Sequence, residues 1–414
     1  MPKKGATDRV WPEWDLFSRD RLFQVKAGLV LPLERRGFLT GETAFGRSAV
    51  RHLPVDEGVL TSRQGIVALH SHDLTRELWR VEVPDWLDRI ICEGDTALVG
   101  ADRQAEILRI DFRTGAIAAR AKTPEKSVIV GFTAKTLLVL APLGRASGEL
   151  VAIDRESFAP IWKHTALSPQ NTSFGERYLI QDKLATILRC LDAGTGEVLW
   201  HVDLSESRFW EKRQAPPPEP LKIVQGYPSV VVVGDRVLVV LNDARVCVLD
   251  PESGEVLDIV RTGIEAPRGV VRPMHLITDT SIFYLHAFGM VEFDHRSMKE
   301  ASRIEFRKEV EPHYAKVRGI PYPCAFWLSA ESVIWTNLSG LLIGISREPG
   351  KDGSRTVWAD WMPGALVPIA QFPLAFGEYI YFSEYGEKKV GLHCYRGRRP
   401  PGQPSGLPSR SSTS

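Results

Sequence analysis

The amino-acid sequence predicts an all-β fold assembled from repeated units of four antiparallel strands. First, one segment recurs along the chain, and its fullest copy runs from Ile187 to Trp200 as strand, Asp-led turn, Gly and a second strand ending in Trp. Second, apolar runs such as 230–233 and 237–241 have the length of strands rather than of helices. Third, 34 Gly and 28 Pro in 414 residues supply many turns.

The repeated segment occurs in eight copies of unequal quality. Residues 246–257 and 150–162 match the fullest copy closely, 107–115 keeps its Asp and Gly, and 66–79 has His at the Asp position. Three weaker copies lie near the C-terminal end. The residues at the Asp position are His70, Asp111, Asp154, Asp192, Asp250, Asp294, Ser346 and Arg396.

The spacing of these anchors indicates the architecture. Consecutive anchors are 38 to 58 residues apart, with a mean of about 47, and a period of about 40–50 residues with four strands per unit is typical of propeller blades. Another strand pair precedes most anchors, most clearly at 229–241. The sequence therefore predicts an eight-bladed β-propeller of four-stranded antiparallel blades, with seven blades as the alternative.

Each repeated residue has a local structural role. The Asp carboxylate accepts hydrogen bonds from amides two or three residues further on, and the Gly adopts a positive φ. The Trp packs one blade on its neighbour. Ala119, Asp258 and Ser302 stand where three copies should have Trp, so we expect other side chains to pack there.

These residues resemble the PQQ-like repeat, which forms the blades of quinoprotein dehydrogenases and of the outer-membrane assembly propeller lipoprotein. The resemblance covers about residues 50–396 and implies the propeller fold. The dehydrogenases of this family are secreted and hold their quinone beside a disulfide of adjacent cysteines, with calcium. None of the five cysteines here is adjacent to another, so the resemblance points to the non-dehydrogenase branch, without PQQ or another cofactor.

The two ends of the chain differ in composition. We expect an N-terminal extension over 1–20, a single propeller over 21–399 and a disordered polar tail over 400–414. The last copy lacks an outer strand, and an open sheet edge favours aggregation. Residues 21–31 alternate partly and could supply that strand, which would close the ring.

Charge and composition exclude several classes of function. The net charge of +1 argues against general binding to nucleic acid. No apolar stretch approaches the roughly 18 residues of a membrane span, and no secretory signal is visible. Scattered cysteines predict neither a disulfide framework nor a metal site. The cytoplasm is the expected compartment.

Two insertions beyond the repeat are the best indication of function. Residues 209–222 and 306–325 each connect the outermost strand of one blade to the innermost strand of the next, so we expect both on the same face. Trp, Tyr and Arg dominate interface hot spots. The candidate partner-binding residues are Trp210, Arg213, His313, Tyr314, Arg318 and Tyr322. Alternatively, the proline run is a spacer and the aromatic rings pack on the blades.

The sequence favours a non-catalytic scaffold that recognises a protein or peptide partner on this face. No P-loop, HExxH, GxSxG or EF-hand motif is present. The segment from His70 to Asp73 has metal-binding residue types, but its position in a repeat turn favours a solvated turn. The alternative is an enzyme or small-ligand binder with its site at the mouth of the central channel.

Overall fold

The architecture comes from a computed structural model. It describes residues 29–41, 51–63, 65–83, 87–93, 96–101, 106–123, 127–142, 148–166, 171–181, 187–204, 229–240, 245–260, 274–286, 288–316, 323–337, 340–361, 374–385 and 390–398.

The described residues form eight four-stranded antiparallel sheets, and the fold is that of an eight-bladed β-propeller. The prediction of eight blades rather than seven is therefore confirmed. Strand β1 (Val30–Gly41) comes first in the chain.

The remaining strands follow blade by blade. Blade I contains β2 (Arg51–Val55), β3 (Gly58–Arg63), β4 (Ile66–His70) and β5 (Glu77–Glu82), and blade II contains β6 (Leu87–Glu93), β7 (Thr96–Ala101), β8 (Glu106–Asp111) and β9 (Ile117–Lys122). Blade III contains β10 (Val128–Phe132), β11 (Thr136–Pro142), β12 (Gly148–Asp154) and β13 (Pro160–Ala166). Blade IV contains β14 (Asn171–Phe174), β15 (Arg177–Gln181), β16 (Ile187–Asp192) and β17 (Val198–Asp203). Blade V contains β18 (Ser229–Val233), β19 (Arg236–Val240), β20 (Val246–Leu249) and β21 (Val256–Val260).

The last three blades include the one helix of the described residues. Blade VI contains β22 (Met274–Ile277), β23 (Ser281–His286), β24 (Gly289–Asp294) and β25 (Lys299–Glu305), and helix α1 (Arg307–Lys316) follows it. Blade VII contains β26 (Pro323–Leu328), β27 (Ser332–Asn337), β28 (Leu341–Ser346) and β29 (Val357–Trp361). Blade VIII contains β30 (Leu374–Phe376), β31 (Tyr379–Tyr385) and β32 (Val390–Arg398).

The chain divides into two compact units. One unit holds blades III, IV and V, within Pro124–Pro273, and the other holds blades I, II, VI, VII and VIII, within Gln24–Thr123 and Met274–Ser414.

The fourth strand of blade VIII comes from the other end of the chain. Strand β1 pairs antiparallel with β32, from Val30 opposite Arg398 to Gly41 opposite Val390. The sequence placed this strand at 21–31, whereas it begins at Val30 and runs to Gly41. Its buried side chains Leu31 and Leu33 pack against Phe382 and Ile334. The expected N-terminal extension and C-terminal tail lie outside the described residues.

The core of each blade lies in its middle strands. Strands β19, β20 and β27 are buried along almost their entire length, whereas fourth strands such as β9 alternate between half-buried and exposed residues. Middle strands have packed neighbours on both faces, which explains the continuous apolar runs in the sequence.

Tryptophans on fourth strands contact the neighbouring blade, as predicted. In the three-blade unit, Trp162 Nε1 donates to the Ala193 carbonyl at 2.8 Å, and Trp200 Nε1 donates to the Pro251 carbonyl at 2.9 Å. In the five-blade unit, Trp79 Nε1 donates to the Phe112 carbonyl at 2.6 Å. Each indole thus reaches the turn of the next blade.

A polar contact replaces the tryptophan between blades VI and VII. Ser302, at the Trp position, donates from Oγ to Glu292 Oε2 at 2.9 Å. Arg347, in the turn of blade VII, brings Nη2 to 3.8 Å from the same oxygen and its guanidinium to 5.7 Å from the Phe283 ring centroid. Other side chains therefore do pack at this position, as the sequence predicted.

The anchoring carboxylates close the predicted turns. Asp154 Oδ1 accepts hydrogen bonds from the Glu156 and Ser157 amides at 3.1 and 2.7 Å and from the Ser157 hydroxyl at 2.7 Å. These bonds hold the pKa of Asp154 below its ordinary value. In blade I the structure assigns the anchor position to Ser71 rather than His70, because Ser71 N donates to Arg76 O as Asp111 N donates to Ala116 O.

Candidate partner-binding surface

Helix α1 occupies the insertion between blades VI and VII. Phe306, immediately before the helix, and Val310 and Tyr314 within it are 1%, 0% and 8% exposed. Their spacing of four residues places the three side chains on one helical face. The Phe306 ring stacks on Trp335 of β27, with centroids 5.3 Å apart and planes at 28°. The helix is therefore docked on blade VII by its apolar face.

Tyr314 fixes this docking by a buried hydrogen bond. Trp335 Nε1 donates to Tyr314 Oη at 3.0 Å, and the Tyr314 ring meets Phe288 edge-on at a centroid distance of 5.8 Å. Burial raises the pKa of Tyr314, and the Trp335 bond opposes that shift in part. The sequence grouped Tyr314 with exposed partner-binding residues, but the structure places it in the packed layer beneath the helix.

The other predicted binding residues have different outcomes. His313 lies on α1 and is half-buried. Trp210, Arg213, Arg318 and Tyr322 lie outside the described residues. The structure thus brings together only His313 and Tyr314 of the six, as neighbours in one helix.

The opposite side of α1 faces solvent and carries charge. Arg307, Lys308, Glu311, Pro312 and Ala315 are exposed. The Arg307 guanidinium lies 3.8 Å from the Phe288 ring centroid, and its Nη1 is 3.8 Å from Glu311 Oε1. Exposed pairs of this kind stabilise a protein by less than about 1 kcal/mol, so these groups are available to a partner.

His286 lies beside the start of the helix. Its Nε2 is 4.0 Å from Glu305 Oε1, and its Nδ1 accepts a 3.4 Å hydrogen bond from the Phe288 amide. Burial lowers the pKa of His286, Glu305 opposes this, and the Arg303 and Arg307 charges lower it further. The histidine therefore lies among the charged groups that precede and begin the helix.

Most of the carboxyl groups whose pKa is lowered owe the shift to hydrogen bonds within a turn. The pKa of Asp111 is lowered first by the Thr114 hydroxyl and then by the Thr114 amide, within one turn. The pKa of Asp250 is lowered first by the Ser253 amide and then by the Ser253 hydroxyl. Within the described ranges, no group of three or more His, Cys, Asp or Glu side chains is placed to hold a metal ion. No helix in this part of the chain is long and apolar enough to cross a membrane.

The sequence reasoning missed exposed aliphatic side chains on several fourth strands. Leu78, Ile161, Leu199 and Leu257 are 45%, 43%, 45% and 54% exposed. Each immediately precedes the Trp position of its repeat. The pattern is visible in the sequence. The residue directly before the Trp position is apolar in all four of these repeats, although it does not lie on the buried face of its strand. Single exposed aliphatic residues are common on protein surfaces.

Comparison with known proteins supports the repeat assignment. A family model described as outer membrane protein assembly factor BamB matches residues 184–263. No curated protein sequence matches the chain.

Solved structures with the same fold cover most of the chain. BamB from Moraxella catarrhalis has a TM-score of 0.54 at 12% identity, covering 91% of this chain and all of its own. A quinohemoprotein alcohol dehydrogenase from Comamonas testosteroni has a TM-score of 0.58 at 11% identity, covering 95% and 82%. Sqt1 from Saccharomyces cerevisiae has a TM-score of 0.52 at 10% identity, covering 90% and 100%. At these identities the similarity shows the fold alone.

The fold defines the class, an eight-bladed β-propeller, and the repeats within residues 184–263 match the PQQ-like family model.

Proposed function

We propose that the protein is a non-catalytic β-propeller scaffold that binds a protein or peptide partner through the insertion at 306–325, and a binding role for the insertion at 209–222 stays a prediction from the sequence. The observation that carries the proposal is the arrangement of α1. One face of the helix is anchored by Phe306, Val310 and Tyr314, and the other is presented to solvent. A rigid, docked helix is a better platform for recognition than a free loop, because less conformational freedom is lost on binding.

The exposed chemistry of α1 indicates the kind of contact. Arg307 and Lys308 offer positive charge, Glu311 offers negative charge, and Ala315 leaves space for a partner side chain. Arg is enriched at interface hot spots. Arg318 and Tyr322 follow directly in the sequence and stay predicted members of this surface. Trp210 and Arg213 stay predicted partner-binding residues on the sequence alone. Tyr314 acts as the buried support of the surface.

The comparisons are compatible with a scaffold. The family model that matches residues 184–263 is described as an outer membrane protein assembly factor, and this description supports the proposal of a protein partner. BamB from Moraxella catarrhalis has this fold over its full length. Cytoplasmic location stays a prediction.

The test is a charge reversal confined to the exposed face of α1. The variant carries Arg307→Glu, Lys308→Glu and Glu311→Lys, and the control carries Lys135→Glu, an exposed turn residue of blade III, which gives the same change of net charge. Tagged wild type, variant and control are used to isolate partners from the native host, and the affinity of each purified partner is then measured.

The proposal predicts that the variant loses at least about tenfold in affinity, equivalent to about 1.4 kcal/mol, while the control and all three melting temperatures stay unchanged. Equal affinity for the three proteins would show that the helix is not the binding surface.

A further inference from the structure

Strand β1, the fourth strand of blade VIII, has a β-bulge at Arg36. Arg35 lies opposite Tyr395 of β32. Phe38 lies opposite His393, so three steps along β1 match two steps along β32, and Arg36 is the extra residue. In a regular strand, residues three apart point to opposite faces of the sheet. The bulge shifts this alternation by one residue, so that Arg35 and Phe38 share one face.

The guanidinium of Arg35 is exposed, and two buried side chains hold it from beneath. Its Nη2 donates a hydrogen bond to Nδ1 of His393, which is 3% exposed. Its central carbon lies 6.0 Å from the ring centroid of the buried Tyr395. These contacts fix the orientation of the guanidinium, so less side-chain freedom is lost when a ligand binds to it.

Phe38 supplies an apolar surface beside the guanidinium. Its ring lies 4.5 Å from His393 between centroids, and it covers Gly391, where a Cβ atom would overlap the ring. Phe38 nevertheless remains 41% exposed. The Arg35 central carbon is 6.0 Å from the Phe38 ring centroid. Arg35 and Phe38, named the rim pair from here on, thus present a cation and an aromatic ring side by side.

Arg35 has no acidic partner among the residues that the structure describes. Its neighbours there are one imidazole and two aromatic rings. The adjacent Arg36 differs, because its Nη2 donates to Glu34 Oε2 at 2.6 Å. A guanidinium has five N–H donors, and its planar fork matches a carboxylate through two parallel hydrogen bonds. The charge of Arg35 is therefore complementary to an acidic ligand.

We propose that the rim pair binds an acidic peptide segment of a partner protein, with a carboxylate on Arg35 and an apolar side chain on Phe38. Residues two apart in an extended peptide point the same way and lie about 6.6 Å apart. This spacing matches the 6.0 Å between the guanidinium carbon and the Phe38 ring. A Glu followed two residues later by Leu therefore fits both groups. The site lies on blade VIII and uses no residue of α1.

Peptide binding to the purified full chain tests the proposal. An array of seven-residue peptides keeps Glu and Leu two residues apart and varies the other positions, and its strongest binder becomes the probe. Two derivatives of the probe carry Gln in place of Glu or Ser in place of Leu. At constant ionic strength, we expect the Gln derivative to bind at least about tenfold more weakly, because a charge-assisted hydrogen bond is lost. The Ser derivative should also bind more weakly.

Variants of the rim pair locate the binding. Arg35→Gln should weaken probe binding by at least about tenfold and should remove most of the difference between the probe and its Gln derivative, because both changes delete the same charge pair. Arg35→Lys keeps the charge but not the fork and should give an intermediate loss. Phe38→Ala should remove the preference for Leu over Ser. The matched control is Arg36→Gln, which changes the charge equally at the adjacent residue and should bind like the wild type.

Three results would overturn the proposal. One is the absence of any saturable binder in the array. Another is an equal loss in Arg35→Gln and Arg36→Gln, which would indicate general electrostatic attraction. The third is displacement of the probe by inorganic phosphate combined with equal binding of the Ser derivative, because the site would then recognise an oxyanion alone. The charge-reversed α1 variant should bind the probe like the wild type, whereas loss of binding there would assign the peptide to the helix.

Discussion

Gly196 lies directly beneath the indole ring of Trp162, so that a Cβ atom at position 196 would approach Trp162 Cδ2 to 2.7 Å. The same glycine has a φ of 76°. The two requirements coincide because the turn of blade IV must both reverse the chain and receive the tryptophan of blade III. Glycine and tryptophan are therefore one structural unit shared by two blades.

Gly196→Ala should test this shared requirement. Positive φ alone costs an alanine about 1 kcal/mol, and the clash with a packed ring adds about 1–3 kcal/mol. The control is Gly234→Ala, whose φ is 59° and whose Cβ would meet nothing within 4 Å. Urea unfolding should show a clearly larger loss for Gly196→Ala, whereas equal losses would show that the indole does not constrain the turn.

Replacing a packed tryptophan and an exposed one should lower the free energy of urea unfolding by different amounts. Trp162→Ala removes an indole that bridges two blades, and we expect a loss of about 3–5 kcal/mol. Trp361→Ala, at a side chain 55% exposed at the end of β29, should cost less than about 1 kcal/mol. Similar losses for the two variants would contradict the assignment of Trp162 as an inter-blade contact.

Tyr314 should behave as a packing residue. Tyr314→Phe leaves the buried Trp335 Nε1 without its acceptor, at a cost of about 1–3 kcal/mol. Tyr314→Ala should cost about 3–5 kcal/mol, because the ring itself is lost. Combining Trp210→Ala with Tyr314→Ala should therefore lower the melting temperature. An unchanged melting temperature would show that Tyr314 faces solvent after all.

Truncation should reveal the role of β1. Deleting residues 1–41 removes the fourth strand of blade VIII and uncovers the apolar groups that Leu31 and Leu33 bury, so we expect an insoluble or strongly destabilised protein. Deleting residues 401–414 should change the melting temperature little. If the 42–414 chain melts like the full chain, β1 does not close the blade.

The turn aspartates should contribute to stability at neutral but not at low pH. The pKa of Asp154 is lowered, first by the Ser157 amide and then by its hydroxyl, so its stabilising effect is present above the ordinary Asp value of about 3.9 and lost as the pH falls. Asp154→Asn should lower stability at pH 7 and flatten the acid unfolding curve below pH 4. Glu156→Gln, an exposed neighbour, is the control and should leave the curve unchanged.

Much of the fold could be predicted from the sequence because its repeat residues act locally. An Asp closes its own turn, and a Trp meets a Gly at a fixed place in the next copy. The repeat at 342–346 was harder to recognise, because the turn from Ser346 to Thr356 is longer and separates the anchor from Trp358, which lies at the Trp position opposite Gly344.

The closing strand was predicted too early in the chain, at 21–31 instead of 30–41, for a physical reason. Pro32 and the polar run at 34–37 do not have the composition of a strand, although a fourth strand at a sheet edge tolerates both. Residues 21–31 looked more regular, and only pairing with β32 shows that the strand starts at Val30.

The candidate surface was the least predictable part. Pro312 inside α1 argues against a helix in the sequence, yet Phe306, Val310 and Tyr314 have helical spacing. The burial of Tyr314 depends on Trp335, which belongs to a different blade and cannot be paired with it from sequence. The sequence prediction used residue type alone, and it therefore grouped Tyr314, which supports the helix from beneath, with the candidate contact residues.

Site-specific photo-crosslinking from Ala315 tests whether α1 is the partner-binding surface. Ala315 is exposed on α1, and a photoreactive amino acid there reports what lies within a few ångströms of the helix in the native host. The matched position is Lys135, exposed in a turn of blade III. We expect a discrete crosslinked protein from position 315 that is absent from position 135 and is lost when Arg307, Lys308 and Glu311 are charge-reversed. Crosslinks from 135 but not 315, or a 315 product that survives the charge reversal, would contradict it.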